Sequence, residues 1–323
     1  MLQNPETGNL LPIRTQSSIL NETHQEIVSS REGNEIVLKT RWSAINRALL
    51  GGFRFNNNVL IAGPSGHGKS YMLNMVRDDF TSDLNAHLLD KIKILHFGWE
   101  MSASDETVRT LVGKTKIPYE EILSCFEKLD EAKYQALKGN LRDLADKPIY
   151  YIEKAGNKYD IMRTVYNFQE KFPEHKLVIL LDHTLLTEYS DEGDEIKLIA
   201  ELGKMFIKLR KDLKCLTIML GQFNDKIEDP KRITTPILHY PKKTDIHGSK
   251  QLYQAVDTVI TCYQPALIGI DSYGPKGYAT ENLVAAHLLK MRKGEPGLVR
   301  LKADFKNGTF TDWADTSFYG LTL

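Results

Sequence analysis

The sequence predicts an α/β protein built on a mostly parallel central sheet, with helices on its faces and a β-hairpin near its C-terminal end. Three observations predict it. From about residue 36 onward, short apolar β-rich runs alternate with longer amphipathic segments, the pattern of a parallel sheet with helical crossovers. A glycine-rich octapeptide, GPSGHGKS at residues 63–70, follows one such run and precedes a helical segment. The 323 residues, 41% hydrophobic and 26% charged, suffice for one large core with attachments and exclude a chain disordered throughout.

Residues 1–35 are polar, with Pro5, Gly8 and Pro12 early and Gly33 late, and read as a tail followed by one short helix. Ile19, Leu20, Ile27 and Val28 would form its apolar face, suited either to the protein's own surface or to a neighbouring subunit. A single large domain is expected over residues 36–323. Its strand candidates are NVLIAG, KIKILHFGW, PIYYIEKA, KLVILLDHT, LTIMLGQF, DTVITCY and LVAAHLLKM. Between Asp194 and Leu213, apolar Ile196, Ile199, Leu202, Phe206, Leu209 and Leu213 recur at steps of three or four and mark a core-facing crossover helix. Residues 297–313 alternate apolar and polar around Asn307-Gly308, as a hairpin does. No internal repeat or low-complexity segment interrupts this order.

Lysine plus arginine equals aspartate plus glutamate at 42 each, so any grip on nucleic acid must come from local clusters. Cys125, Cys215 and Cys262 form no CxxC pair, and no histidine stands at metal-ligand spacing, which predicts free thiols in a reducing cytoplasm. The opening MLQNPETGNLLPIRTQ lacks the charged start and apolar run of a secretory signal. No stretch approaches the roughly 20 apolar residues of a membrane span, so a cytoplasmic protein without membrane contact is expected.

GPSGHGKS fits the phosphate-loop pattern GxxxxGK[ST] in the required strand-to-helix context. Gly63, Pro64, Ser65, Gly66, His67, Gly68, Lys69 and Ser70 form the expected cradle for ATP. Its glycines let backbone N–H groups curl around phosphate oxygens, and the following helix aims its positive end at them. Lys69 is expected to reach the β and γ phosphates and Ser70 to bind Mg²⁺.

A phosphate cradle needs acids to hold the metal and activate water. KLVILLDH puts Asp182 at the carboxyl end of an apolar strand, where an open parallel sheet presents its ligands, and makes it the expected metal-side carboxylate. Asp182 is followed by His183 and Thr184, with no glutamate beside it. Glu100 instead closes the run KIKILHFGWE, where it would orient or deprotonate the attacking water, an arrangement typical of RecA-like ATPases. Asn157-Lys158-Tyr159-Asp160 matches the NKxD guanine-recognition pattern, but it precedes the Asp182 strand and no DxxG segment separates it from the phosphate loop. It reads as a chance turn.

Several collinear segments resemble the ATPase domain of DnaB-type replicative helicases, over most of the chain after residue 35. RWSAINRALLGGF looks like the segment that opens the family's domain, FGWEMSASDETVRTL resembles its FSLEMS region, LLDHTLL its DYLQLM strand end, and GQFND its SQLNR segment. DIHGSKQLYQAVDTVITCY is similar, without a gap, to DLRESGAIEQDADVVMFLY, and LLKMRKGEPGLVRL to AKQRNGPTGTVKL. The resemblance implies a homo-hexameric ring that hydrolyses ATP to move five-prime to three-prime on single-stranded DNA, with primase and a helicase loader as partners. It implies that Gln222 senses the γ phosphate while Lys290 and Arg292 reach the nucleotide of the adjacent subunit. A cation supplied in trans suits the charge that develops in phosphoryl transfer.

The same resemblance sets DNA against the loops after the Asp182 and Gln222 strands. The second loop carries Lys226, Lys231, Arg232, Lys242, Lys243 and Lys250 against Glu228, Asp229 and Asp245, a composition suited to backbone phosphates or simply to solvent. The ungapped match puts His247 where the family has arginine, Gly248 where it has glutamate and Lys250 where it has glycine. Lys250 would then replace the missing charge and His247 donate to phosphate. The family's N-terminal helical collar has no counterpart in the short tail, as in a compact phage or plasmid version. Lys69, Glu100 and Asp182 would serve equally in a recombinase-like filament, a KaiC-like ring or a small-molecule kinase, and in the kinase Lys290 and Arg292 would be incidental.

Overall fold

The computed structural model describes residues 13–182, 195–313 and 319–320. The chain separates into two compact units, one ending at Ile36 and the other beginning at Val37. The first contains α1 (Gln16–Arg31), whose 16 residues exceed the short helix expected. Thr15 caps it, its hydroxyl accepting from Ser18 N at 3.2 Å.

The second unit is organised by a ten-stranded sheet. Its strands are β1 (Asn57–Gly63), β2 (Ile92–Phe97), β3 (Ile149–Ile152), β4 (Lys176–Leu181), β5 (Leu216–Gln222), β6 (Thr258–Thr261), β7 (Leu283–Met291), β8 (Gly297–Asp304), β9 (Thr309–Asp312) and β10 (Tyr319–Gly320). They lie in the order β9-β8-β7-β6-β1-β5-β4-β2-β3, with β10 also paired to β8. The six strands from β6 to β3 are parallel, and β7 to β10 extend the sheet antiparallel. The connections include α2 (Ser43–Ala48), α3 (Lys69–Phe80), α4 (Ala103–Thr115), α5 (Glu131–Ala145), α6 (Lys158–Lys171), α7 (Glu195–Leu213) and α8 (Ser249–Ala255).

The unbroken apolar runs explain the centre of this sheet. Val59, Leu60, Ile61 and Ala62 of β1 are all buried, as are Leu177 to Leu181 of β4, because helices cover both faces. Each strand ends where the run ends, so KIKILHFGW yields only β2, and the Gly98-Trp99-Glu100 segment that follows is free to turn. On α7, Leu198, Ile199, Leu202, Met205, Phe206 and Leu209 are buried, which realises the expected core-facing stripe. His183, Thr184 and Asp194 lie outside the described residues, and so does the side chain of Ile196.

Asn157-Lys158-Tyr159-Asp160 is the start of α6 and not an isolated turn. The Asn157 side chain accepts from Tyr159 N and Asp160 N, and the Asp160 carboxylate accepts from Asn157 N at 3.1 Å. A capping box therefore explains the asparagine and aspartate of that motif. The expected hairpin forms from β8 and β9, and Gly308, at φ +58°, takes the left-handed position in its turn. Trp42 Nε1 donates to Phe310 O at 2.9 Å and Ser43 donates to Asp312, which binds the segment before β1 to the far end of the chain.

Candidate active site

The phosphate loop takes its shape from two close approaches. Gly63 ends β1 against the neighbouring strand, where a Cβ would stand 2.1 Å from Cys262 O. Gly68, at φ +92°, caps α3, and a Cβ there would meet the Phe310 ring at 2.9 Å. Only glycine satisfies both the space and the second backbone geometry. Lys69 opens α3, and its Nζ donates to Pro64 O at 2.7 Å across the loop. Burial pulls its pKa below the usual amine value, while Cys262 and Glu100 pull it back.

His67 turns away from the loop's open side. Its Nδ1 accepts from Gln264 N at 3.0 Å, and its carbonyl accepts from Gln264 Nε2 at 2.9 Å and from Cys262 Sγ at 3.1 Å. The ring stacks on Tyr263 with centroids 5.6 Å apart. Burial, reinforced by the charge of Lys69, pushes the imidazole down to about 4, which keeps it neutral and lets Nδ1 act as an acceptor.

Asp182 stands just beyond the end of β4 and is 3% exposed. Its carboxylate accepts from Trp99 N at 3.0 and 3.1 Å and from Glu100 N at 3.1 Å. The aspartate thereby holds the strap that carries Glu100, whose own side chain is exposed. On the other side of the loop, Gln222 ends β5 in register with Gly63, and Phe223 N donates to Gly63 O at 3.1 Å.

A cleft of about 640 Å³ gathers these groups at the carboxyl ends of the parallel strands. Ser65, Gly66, Gly68, Lys69, Ser70, Glu100, Asp182 and Gln222 line it, with Gly63, Pro64 and His67 standing behind. Ser70 and Asp182 offer a hydroxyl and a carboxylate, hard oxygen donors of the kind that hold Mg²⁺ together with substrate phosphates. Sequence reasoning missed Tyr71, Arg109, Gln264 and Phe305, which line the same cleft. Arg109 lies 4.6 Å over the Tyr71 ring, and Tyr71 meets Phe305 edge to face at 5.6 Å. Their signal was position alone: Tyr71 follows the loop, Arg109 lies in the FGWEMSASDETVRTL segment, and Gln264 follows β6.

Lys290 and Arg292 do not join this cleft. Met291 pairs with Thr258, which pairs with Val59, four residues before Gly63, so Met291 lies roughly 13 Å back along the strand direction from the loop and two strands to the side. Lys290 Nζ donates to Tyr253 O at 2.5 Å, and Arg292 Nε pairs with Asp257 at 3.0 Å. Arg292 borders a separate cavity of about 400 Å³ with Arg54, Arg210, Lys211 and Lys293.

The basic loop after β5 is more ordered than its composition suggests. Arg232 is committed inside it, paired with buried Asp245 at 2.7 Å and donating to the carbonyls of Lys226, Leu238 and Tyr240. That removes Arg232 from the set of cations free to meet phosphate. Lys242 and Lys243 are exposed, and the side chain of Lys250 lies outside the described residues. His247 is half-buried, and its backbone N–H donates to Gln222 O at 2.8 Å, so the loop is bonded to the cleft's own glutamine.

Among solved structures, the chain is similar to an ATPase domain that it matches with a TM-score of 0.79 and 20% identity, over 94% of this chain and 100% of that one. A DnaB-like replicative helicase, described together with its interactions with primase, gives a TM-score of 0.76 and 20% identity over 94% of this chain and 68% of the other. These likenesses establish the fold as that of RecA-like helicase ATPase domains. No curated protein matches the sequence. Residues 38–312 match the DnaB-like helicase C-terminal domain, so the chain belongs to that family of ATP-hydrolysing replicative DNA helicases.

Proposed function

We propose that the chain works as a homo-hexameric ring that converts ATP hydrolysis into movement along single-stranded DNA in the cytoplasm, and that each nucleotide lies between two subunits. One observation carries this reading: the cleft collects a loop lysine, two acids and a glutamine, while Lys290 and Arg292 lie toward the other end of the neighbouring strands. A neighbour's Lys290 and Arg292 would add their charge to that of Lys69 and Arg109 around the transferring phosphoryl group.

In this mechanism the loop's N–H groups and Lys69 bind the phosphates. Ser70 and Asp182 would hold Mg²⁺, which when bound would supply charge neutralisation at the phosphates. Glu100, set by the grip of Asp182 on its strap, accepts the proton of the attacking water. Gln222 touches the γ phosphate, and its carbonyl bond to His247 N carries any displacement into the basic loop. Lys242, Lys243, His247 and Lys250 would meet DNA phosphates there. Primase and a helicase loader are the expected protein partners.

Steady-state hydrolysis across protein concentrations, with and without long single-stranded DNA at two salt concentrations, tests the proposal. The rate per subunit is expected to rise with concentration and with DNA, and the stimulation to fade in salt. Arg292→Ala is expected to preserve nucleotide binding in isolated subunits and abolish hydrolysis in the assembly. A rate linear in protein and indifferent to DNA would overturn the reading.

A further inference from the structure

Beneath the strap that carries Glu100 lies a buried ionic cluster that the ATPase motifs do not include. Arg77 sits on α3 about two turns beyond Lys69 and is 1% exposed. Its Nη1 donates to the Glu106 carboxylate on α4 and lies 3.3 Å from His96 Nδ1 on β2. The other guanidinium nitrogens donate to Thr110 Oγ1 at 3.0 Å and to Asp78 Oδ1 at 3.1 Å. The Thr110 hydroxyl closes the ring by donating to Asp78 Oδ2 at 2.8 Å. Tyr151 of β3 covers the guanidinium, whose carbon lies 5.6 Å from the ring centre. Glu106 is 4% exposed and His96 wholly buried.

Replacing a buried ion pair by apolar side chains of the same volume is commonly neutral or stabilising, so stability is a weak reason for this one. What ions add is direction, and here they point at the strap. Glu106 Oε1 stands 3.5 Å, Met101 O 3.8 Å and His96 Nε2 3.9 Å from where a Cβ on Gly98 would lie. Gly98 N donates to Ile152 O at 3.1 Å, and Ser102 at the strap's far end caps α4 by accepting from Asp105 N at 3.0 Å. The strap is thus gripped by Asp182 through Trp99 and Glu100, and floored by Glu106 and His96 at Gly98.

We propose that Arg77 and Glu106 are positioning residues whose ion pair ties the phosphate-loop helix to the foot of the strap and so fixes Glu100 relative to the nucleotide. The proposal rests on the reading of Glu100 as the general base. Lys69 opens α3 and Glu100 lies on the strap that leads into α4, and the Arg77–Glu106 pair is a direct strut between α3 and α4 that lies outside the cleft.

The test compares Glu106→Gln, the double variant Arg77→Met/Glu106→Leu and Glu100→Gln in the full chain, by DNA-stimulated ATP hydrolysis and thermal melting. Glu106→Gln is expected to leave KM for ATP unchanged and to lower kcat about tenfold, the scale of a small misplacement of a reacting group. The double variant fills the same space without the Arg77–Glu106 pair, and partly exposed Asp78 keeps its bond from Thr110, so it should melt within a few degrees of the parent and still show the lowered kcat. It carries the test if the single variant fails to fold. Parental kcat in the double variant, with Glu100→Gln inactive, would reduce the cluster to packing and overturn the proposal. Parental activity in Glu100→Gln would overturn the general-base reading, and the positioning role with it.

Discussion

Gln264 holds His67 at two points, donating from its backbone to the ring Nδ1 at 3.0 Å and from its side-chain amide to the His67 carbonyl at 2.9 Å. The phosphate loop is therefore fixed from behind by the segment after β6, which leaves its front N–H groups available to phosphate. Gln264→Ala keeps the backbone bond and loses the side-chain one, worth about 1 kcal/mol. Nucleotide affinity is expected to fall about fivefold in a fluorescent ADP titration.

Asp182 holds the Glu100 strap and, in the mechanism proposed above, would also offer oxygen to Mg²⁺. Asp182→Asn preserves its shape but removes its charge and one of its two acceptor oxygens. Hydrolysis is expected to fall about a hundredfold and to require more Mg²⁺, which a rate series over Mg²⁺ concentration would read.

At Gly63 the adjoining strand leaves no room for a methyl group, because the nearest obstacle is the backbone oxygen of Cys262 and not a movable side chain. Gly63→Ala must part β1 from β6. We expect a loss of about 2–4 kcal/mol and a melting point lower by about 5–10 °C.

These contacts also mark how far the sequence is legible. Lys69, Asp182, Glu100 and Gln222 stand out because each follows an apolar run, and a parallel sheet brings the ends of such runs to one edge. The bonds of His67 to Gln264 and of Arg77 to Glu106 span 197 and 29 positions and follow no periodicity, so only the fold reveals them. Arg232 shows the converse. Composition counts it as one more cation for DNA, but it forms an internal clasp with Asp245.

His287 is wholly buried, with its Nε2 2.6 Å from the Tyr273 hydroxyl, and burial pushes its pKa down to about 3. The unfolded chain binds a proton at this histidine near pH 6.5 while the native chain resists it, so its contribution to stability is lost as pH falls from about 6.5 toward 3. In His287→Gln the decline of melting temperature over that range is expected to be shallower than in the parent.

Burial pushes the thiols of Cys215 and Cys262 up to about 12, whereas Cys125 is exposed. A colourless-to-coloured disulfide reagent at pH 8 is expected to titrate one thiol per native chain and three in denaturant. Early reaction of a second thiol would place an opening of the sheet at β5, beside Cys215, or at β6, beside Cys262, below global unfolding.

The bond from Trp42 to Phe310 spans 268 residues and seats the hairpin beside Gly68. During synthesis the phosphate-loop sequence precedes β5, β6 and the hairpin that pack around it. A chain still being translated therefore carries the motif without the cradle. Capture of phosphate by the loop thus has to wait for strands encoded about 150 to 240 residues after it, so the motif's binding power belongs to the assembled sheet and not to the octapeptide.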